Sequence, residues 1–387
     1  MARPVPLMDS AARLPNLKVL RLSLTGFRNH PRLDVDLTDA PVVITGPNGL
    51  GKTNILEALS LLTPGRGLRG AAYSEMAAQG GDGAFSIFAQ VTGAQGSVGI
   101  GTGVMADAPE RRIVRIDGQV QAAGSALGRH MRALWLTPAM DRLFADPASA
   151  RRRFVDRLAL AIDPDHADHG AQYERAMRQR NKLLREARLQ GRGFDPDWAQ
   201  VLERQMAEAG IALAAGRRTV LAWLEHHVAH APDGPFPKPI MALEGMIETA
   251  LETMPAVEVE DLFAQTLARG RLRDQEAGRT LDGPHTSDFA VRHGLKDQPA
   301  ELCSTGEQKA LLIAMILAQA RGMAAEGLGP ILLLDEVAAH LDADRRSTLF
   351  DAICDLGLQA WMTGTDAMLF DALGARAQNL NLVPCNV

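Results

Sequence analysis

Cysteine and aromatic residues are scarce in this chain. Its 387 residues include three cysteines, and Phe, Trp and Tyr together make up 4%. The three cysteines are widely spaced and form no CxxC motif: Cys303, Cys354 and Cys385. That pattern argues against a disulfide framework and a structural zinc site, and it favours reduced thiols.

Long apolar runs are also lacking. The longest, residues 310–320, falls well short of the roughly 20 residues that a helix needs to cross a bilayer. Residues 1–15 lack the continuous apolar stretch of a secretory signal. We therefore expect a cytoplasmic chain with no membrane span.

An excess of positive charge is absent as well. The net charge is −5 and the isoelectric point about 6.1, which excludes attraction of the whole molecule to nucleic acid. Any polyanion must therefore meet a local basic surface. The 46% of hydrophobic and 22% of charged residues are typical of a globular chain. The length suits two or three domains.

The most specific motif present is GPNGLGKT, residues 46–53, which matches the P-loop pattern G-x-x-x-x-G-K-[ST]. Its glycines let backbone N–H groups turn toward an anion, and the positive end of the following helix faces the phosphates. We expect Lys52 to contact the β and γ phosphates of ATP, and Thr53 to bind Mg²⁺. The candidate nucleotide-binding residues of the motif are Gly46, Pro47, Asn48, Gly49, Leu50, Gly51, Lys52 and Thr53.

An acidic pair ends the apolar run ILLLDE, residues 331–336. A P-loop needs such a carboxylate at the end of a neighbouring buried strand. Asp335 is predicted to hold Mg²⁺ together with Thr53, and Glu336 to orient or deprotonate the attacking water. Lys52, Asp335 and Glu336 are the candidate catalytic residues.

A second phosphate-binding feature begins at Ser304, where STGEQ opens a long apolar helix pattern. A serine hydroxyl and the free N–H groups of a helix N-terminus can bind phosphate, but the P-loop already provides one such site. We expect Ser304, Gly306 and Glu307 of one subunit to close over the γ phosphate held by another. The alternative is an ordinary N-cap serine.

The remaining patterns predict an α/β fold. Residues 17–27 and 33–46 read as strands that lead into the P-loop, and VVIT (42–45) is apolar throughout, as in a strand buried on both faces. Glycine-separated strand patterns in residues 84–120 predict antiparallel hairpins. Alternating helix and strand patterns then predict a parallel sheet. They cover residues 307–325, 331–336, 343–356 and 359–365, after a strand near 288–293.

The middle of the chain has a different composition. Ala, Arg, Glu, Gln and Leu dominate residues 141–266, which predicts helices, with a Pro- and Gly-rich loop at 227–241. The predicted organisation is a P-loop ATPase head with a mixed sheet and flanking helices, into which a mainly helical second lobe is inserted. Its predicted parts are residues 1–140, 141–283 and 284–387.

The order of GPNGLGKT, STGEQ, ILLLDE and AHLD (339–342) resembles the ATP-binding-cassette (ABC) ATPases. That resemblance implies two heads that sandwich two ATP molecules, with Asp342 near the dimer seam. Six segments, in the same order, resemble the RecF family of bacterial recombination mediators and cover most of the chain. They are LTGFRNH, NGLGKTNILEALSLLTPGRGLR, RRRFVDR, YERAMRQRNKLL, GPHTSDF and STGEQKALLIAMILAQ.

The RecF resemblance implies an ATP-dependent homodimer that clamps double-stranded DNA or a single-strand/double-strand junction. It also implies recombinase loading onto gapped DNA with RecO- and RecR-type partners, a part in the SOS damage response, and weak, DNA-stimulated ATP hydrolysis that releases the clamp. The alternatives are a transporter ATPase subunit, a nuclease of the overcoming-lysogenization type, and an SMC-like chromosome structural ATPase. The large insert opposes the first, and the lack of sustained heptads opposes the last.

Several positions depart from these family patterns. LTPAMDRLF, which retains Asp141, stands in place of the Q-loop glutamine, and Thr363 or Thr365 in place of the switch histidine. Thr286 replaces the usual arginine after GPH, and Glu307 stands where a glutamine is common. These departures affect the expected hydrolysis rate more than ATP binding.

The candidate DNA contacts are four basic residues. Arg66 and Arg69 lie in the loop PGRGLRG and flank the surface that two heads would present together. Arg178 and Lys182 fall on one side of a predicted helix, although such a face is usually only solvated. Contact of this kind would read the DNA backbone and shape rather than the bases.

Two nearby residues are expected to have internal roles. Arg180 projects toward the apolar side of the same predicted helix, where Tyr173, Met177 and Leu184 lie, so we expect it in an internal ion pair. His285 lacks metal-ligand spacing and is expected to form hydrogen bonds within a loop.

Overall fold

The computed structural model of the chain describes residues 16–94, 96–122, 124–191 and 193–383. Cys385 and residues 1–15, for which we predict a reduced thiol and no secretory signal, lie outside these ranges. Helices and strands are numbered below in chain order.

An antiparallel sheet of six strands forms one layer of the head, in the spatial order β2-β1-β4-β5-β6-β7. The strands are β1 (Lys18–Phe27), β2 (His30–Asp36), β4 (Phe85–Gly93), β5 (Gly96–Met105), β6 (Ala108–Ile116) and β7 (Gln119–Val120). This layer contains the hairpins predicted for residues 84–120, and a turn at residues 28–29 joins β1 to β2.

A parallel sheet of five strands forms the second layer, in the order β14-β3-β13-β12-β8. Its strands are β3 (Val42–Thr45), β8 (Ala133–Leu136), β12 (Ile331–Leu334), β13 (Ala360–Gly364) and β14 (Gln378–Asn381). Val42 and Ile44 pack toward the antiparallel sheet, whereas Val43 packs into the core on the opposite face. The burial of β3 on both faces is confirmed, as is the parallel sheet. Around it lie α1 (Lys52–Ser60), α8 (Thr305–Ala325) and α9 (Ala343–Asp355).

The inserted region is mainly helical, as predicted. It contains α2 (Ala148–Ile162), α3 (His166–Gln190), α4 (Pro196–Ala229), α5 (Met246–Thr253), α6 (Ala256–Arg269) and α7 (Arg271–Ala277). Its own core is formed by apolar side chains of α3, α4, α5 and α6, with Tyr173 and Phe263 among the fully buried members. The proposed division at residues 140 and 283 stays a prediction.

A third, small sheet corrects one expectation. The loop predicted for residues 227–241 is wrong at both ends, because α4 continues to Ala229 and β9 spans Pro239–Glu244. β9 pairs antiparallel with β10 (Asp288–His293), which also pairs with β11 (Gln298–Pro299). Pro239 is the first residue of β9, a position where the missing N–H is tolerated.

Two apolar cores lie on either side of the parallel sheet. One is shared with the antiparallel sheet and α1, and the other surrounds α8 and is completed by α2 and α4. α8 is therefore buried along most of its length, while its N-cap Ser304 and its first residue Thr305 are exposed. Within the described part of the chain, no helix is both long and apolar enough to cross a membrane.

Candidate functional site

The P-loop connects β3 to α1 at the carboxyl edge of the parallel sheet. Gly51 has a φ of 87°, which favours glycine, and a Cβ there would overlap Asn29 Oδ1 and His30 Nε2. Lys52 is 6% exposed, and its Nζ donates hydrogen bonds to the carbonyls of Gly46 (2.6 Å) and Pro47 (3.0 Å). The lysine ammonium thus lies over the concave side of the loop.

The turn between β1 and β2 fixes the shape of the P-loop. The Asn29 side chain donates from Nδ2 to Gly49 O (3.0 Å) and accepts at Oδ1 from Asn54 Nδ2 (2.7 Å). His30 Nε2 lies 3.1 Å from Gly51 O, so the ring proton must be on Nε2. Sequence reasoning missed these contacts. The only signal was the family segment LTGFRNH, whose Asn and His have no motif of their own.

Asp335 forms the centre of a small group of hydroxyls just after β12. Thr53 Oγ1 donates to both carboxylate oxygens, at 2.8 and 3.0 Å, and Thr363 Oγ1 donates to Oδ1 at 2.7 Å. The Thr363 hydroxyl in turn accepts from the Glu336 N–H at 2.9 Å. Thr363 is fully buried, whereas Thr365 is exposed. Of the two threonines considered in place of the switch histidine, only Thr363 touches the acidic pair.

Glu336 has an unusual backbone. Its φ is 50° and its ψ 27°, the left-handed region that non-glycine residues rarely occupy. This conformation ends β12 at Leu334 and leaves the Glu336 side chain half-buried. Strain of this kind is typical of functional sites. The carboxylates and the Thr53 hydroxyl are also the oxygen ligands that Mg²⁺ prefers.

Ser304 caps the N-terminus of α8 through a capping box with Glu307. Ser304 N donates to Glu307 Oε2 (2.9 Å), and Ser304 Oγ accepts from Glu307 N (3.4 Å). Lys296, in the turn after β10, is bonded to Glu307 Oε1. The Lys296 ammonium and the two Ser304 groups hold the pKa of Glu307 at about 2. The glutamate that stands where glutamine is common is therefore ionised and neutralised by a lysine.

The two features that are predicted to bind phosphate are separate within one chain. Among the described residues, no hydrogen bond or ion pair joins residues 304–307 to residues 46–53. Open space surrounds Gly306, since among the described residues the nearest atom outside its own helix that a Cβ there would meet is Arg345 Nη1, at 4.0 Å. The N-terminus of α8 is therefore accessible from outside.

Comparison with known proteins decides the family. The family described as RecF/RecN/SMC N terminal domain matches residues 18–373. A protein of Mesorhizobium japonicum named DNA replication and repair protein RecF is 50% identical over 368 residues, 94% of this chain and 96% of the relative. A protein of the same name from Rhizobium meliloti is 50% identical over 363 residues, 93% of this chain and 96% of the relative. This chain belongs to the RecF family.

Solved structures confirm the predicted fold. The recombination mediator protein RecF–ATPrS, of the RecFOR pathway, superposes with a TM-score of 0.81 at 20% identity, covering 96% of this chain and 98% of that chain. The Smc head domain of Pyrococcus furiosus with an extended coiled coil, bound to the C-terminal domain of ScpA, gives a TM-score of 0.52 at 14% identity. It covers 95% of this chain and 94% of that chain. The ABC-type head with an inserted helical lobe is thus the RecF-family fold.

Asp141 and Asp342, two further family positions, each have a structural partner. Asp141, in the segment that replaces the Q-loop, lies 3.6 Å from the Nζ of Lys309 on α8. Asp342 caps α9 by accepting from Arg345 N at 2.8 Å. The Asp141 contact links the end of β8 to the helix that carries Ser304.

The candidate DNA contacts of this RecF-family chain differ in their surroundings. Arg69 Nη1 donates to Glu57 Oε2 and to Asn54 Oδ1, both at 2.8 Å, so it is tied to α1. Arg178 and Lys182 are exposed, and each is close to a glutamate one helical turn away on α3. The distances are 3.2 Å from Arg178 Nη1 to Glu174 Oε2 and 3.8 Å from Lys182 Nζ to Glu186 Oε1. Arg66 has no carboxylate within 4 Å among the described residues. Their contact with DNA stays a prediction.

The two predicted internal residues have the expected partners. Arg180 is fully buried and paired with Glu203 (3.1 Å) and Asp274 (2.8 Å). His285 Nδ1 lies 2.7 Å from the Tyr173 hydroxyl, and its Nε2 lies 3.0 Å from Thr280 O. Both expectations are confirmed. These contacts fasten the loop at Thr280 and His285 to the helical lobe.

Proposed function

We propose that this chain is an ATP-driven DNA clamp of recombinational repair, in which two copies close around ATP. The observation that carries the proposal is the separation of two phosphate-binding sets. Lys52, Thr53 and Asp335 form one set, and the N-terminus of α8 forms the other. Since an ABC-type site needs both and one chain does not join them, a second copy supplies the missing set.

Lys52 is placed to recognise the phosphates. Its Nζ is held by two P-loop carbonyls. Hydrogen bonds between an ammonium and a phosphate are stronger than those to neutral acceptors, so ATP can replace these carbonyls. Thr53 and Asp335 would hold Mg²⁺, which when bound neutralises charge between the phosphates.

Glu336 is the proposed general base. Its backbone turns out of β12 and is held by the hydrogen bond from its N–H to Thr363 Oγ1. The side chain would accept a proton from the attacking water or orient that water. Hydrolysis would be slow because the second copy must close the site first. Once ATP is hydrolysed, the two copies would separate.

Ser304, Gly306 and Glu307 are the proposed contribution of the second copy. The Ser304 hydroxyl and the exposed N–H groups of the first turn of α8 can bind the γ phosphate. Glu307 would repel phosphate, but its charge is offset by the ion pair with Lys296. Gly306 leaves room for the phosphate to approach.

Closure of the heads would bring two helical lobes together around DNA. We propose that the paired lobes hold duplex DNA or a single-strand/double-strand junction at a gap, through phosphate contacts. The name of the relatives, DNA replication and repair protein RecF, and the RecFOR pathway of the solved RecF structures support this assignment. They also support RecO- and RecR-type partners in recombinase loading.

The test compares dimerisation and DNA retention with and without ATP in three proteins. The wild-type chain is expected to dimerise and retain gapped DNA only with ATP. Lys52→Ala should lose both properties, because the cradle loses its cation. Glu336→Gln should bind ATP and remain as a long-lived dimer on DNA. DNA binding that is unaffected by ATP and by Lys52→Ala would contradict the clamp.

A further inference from the structure

A basic groove separates the loop after α1 from the helical lobe. Its volume is about 720 Å³, and its walls come from residues 64–70, α2, α3 and neighbouring elements. Six arginines line it. Arg69 and Arg217 are paired with carboxylates, and the other four are Arg66 from the head and Arg152, Arg153 and Arg157 from α2. We call this region the arginine groove.

The four arginines carry uncompensated positive charge. Among the described residues, none of the four has a carboxylate oxygen within 4 Å. The two acidic residues in the groove are already paired. Asp156 accepts from Arg217 at 2.7 and 2.9 Å, and Glu174 lies 3.2 Å from Arg178. The groove therefore presents a net cationic surface.

Arg157 lies deepest in the charge cluster. Its guanidinium stacks over the rings of Trp135 (4.8 Å) and Phe154 (5.2 Å). Among the residues that the structure describes, its buried Nε has no hydrogen-bond partner, and its Nη2 contacts the sulfur of Met140 at 3.5 Å. Burial lowers the pKa of the Arg157 guanidinium to about 9. A half-buried cation without a neighbouring carboxylate is costly, so an entering phosphate would stabilise it.

The head side of the groove is tied to the P-loop helix. Arg112 Nη1 donates to Gly65 O (2.8 Å), and Ser60 Oγ accepts from Leu68 N (2.7 Å). Arg69, two residues after Gly67, is bonded to Glu57 and Asn54 of α1. The groove wall and the helix that begins at Lys52 are thus one connected unit.

The shape and lining of the groove favour a single strand over a duplex. Apolar side chains, among them Leu160 and Leu213, line the groove together with the arginines. A single strand can place bases on such a surface and on guanidinium planes while its phosphates meet the charges. The groove has the volume of a small-ligand cleft, which is too small to admit a duplex.

We propose that the arginine groove binds the phosphodiester backbone of one unpaired DNA strand, separately from the duplex held between two copies. This inference rests on the proposed clamp. It assigns Arg66 and Arg153 to the rims of the groove and Arg157 to its floor. It would let one protein hold both sides of a single-strand/double-strand junction.

The test uses the full chain carrying Arg66→Ala and Arg153→Ala, with Arg111→Ala and Arg204→Ala as the matched control. Arg111 and Arg204 are also exposed, one in the head and one in the lobe, and lie outside the groove lining. Binding of labelled oligo(dT), of blunt duplex DNA and of inorganic phosphate is measured against salt, alongside ATP-dependent dimerisation.

The groove variant should bind oligo(dT) at least tenfold more weakly than the control, and its log K–log[salt] slope should be smaller by roughly 1.4, about 0.7 per lost contact. Duplex retention and dimerisation should remain. The groove assignment would be overturned if the groove variant bound oligo(dT) as tightly as the control, or if its affinity for duplex DNA fell by the same factor. It would also be overturned if inorganic phosphate competed as strongly as oligo(dT). A wild-type protein that does not retain duplex DNA in an ATP-dependent way would instead overturn the proposed clamp.

Discussion

Thr53 and Asp335 lie 282 residues apart in the chain, yet the threonine hydroxyl donates to both oxygens of the carboxylate, at 2.8 and 3.0 Å. The contact brings the start of α1 against the end of β12 across the parallel sheet. Thr363, from the neighbouring β13, donates to the same carboxylate. Three elements that are distant in sequence thus fix the oxygen atoms at which we place Mg²⁺.

Thr363→Val should slow hydrolysis more than it weakens ATP binding. The change keeps the shape but removes the donor to Asp335 and the acceptor for the Glu336 N–H. We expect a loss of about 1–3 kcal/mol in unfolding free energy and a fall in kcat on the order of tenfold. Steady-state hydrolysis and nucleotide titration measure the two effects. Thr365→Val, at the exposed neighbour, should change neither, and equal effects of both variants would contradict a role for Thr363.

Asn29→Ala should weaken ATP binding by distorting the P-loop. The variant loses the bonds to Gly49 O and Asn54 Nδ2, each worth about 1 kcal/mol. We expect the Kd for ATP to rise roughly tenfold. Asn379→Ala, at an exposed asparagine of β14, is the control and should leave the Kd unchanged. A wild-type Kd in Asn29→Ala would show that the turn does not shape the loop.

Arg180→Met should destabilise the helical lobe. Arg180 is fully buried, and its removal leaves Glu203 and Asp274 with less positive charge in the interior. Loss of one partner of a buried ion pair costs about 3–5 kcal/mol. Arg178→Met, on the exposed side of the same helix, should cost less than about 1 kcal/mol. Urea unfolding gives both values, and similar losses would contradict the buried network.

Acid should weaken the fold through His285. Burial, and then the nearby Arg152 charge, lower the pKa of this histidine from its usual 6.5, against a bond to Thr280 O that raises it. The neutral ring accepts from Tyr173 and donates to Thr280. Because the pKa of His285 is lower in the folded than in the unfolded state, its contribution to the unfolding free energy is complete above the unfolded-state pKa. That contribution is lost as the pH falls below the unfolded-state pKa. The unfolding free energy should fall as the pH drops below about 6.5, and less so in His285→Gln. Parallel pH curves for the two proteins would argue against this assignment.

The parts of the site that the sequence predicts are those with local motifs. Gly46–Thr53, Asp335 and Ser304 each stand next to a strand or helix whose pattern is clear. Arg180 was also predictable, because helical periodicity alone turns it toward the apolar side of α3. The RecF-family fold followed from the order of these segments.

The remaining contacts join residues that no local pattern connects. Arg69 pairs with Glu57 on α1, although its place in a basic loop favoured DNA contact. β9 was missed because Pro239 and the preceding glycine and prolines indicate a loop, whereas its partner β10 lies much later in the chain. Asn29 and His30 act on the P-loop through a turn whose position depends on sheet pairing. Such contacts depend on tertiary structure rather than on spacing.

The central claim is that each ATP site is completed by a second copy. Gly306→Gln tests it without harming the fold, because space is available at Gly306 and glutamine is a better helix former than glycine. The bulky side chain would block the phosphate at the N-terminus of α8. Lys52→Ala disables the other half of the site. Each variant alone should fail to dimerise with ATP.

Mixing the two variants is the most direct measurement. In a mixed dimer, Lys52 of the Gly306→Gln copy meets Gly306 of the Lys52→Ala copy, which makes one intact site. ATP-dependent dimerisation and hydrolysis should reappear on mixing, above the sum of the two variants measured separately. Completion of the site by a second copy would be contradicted by no gain on mixing, or by a Gly306→Gln protein that dimerises and hydrolyses ATP like the wild type.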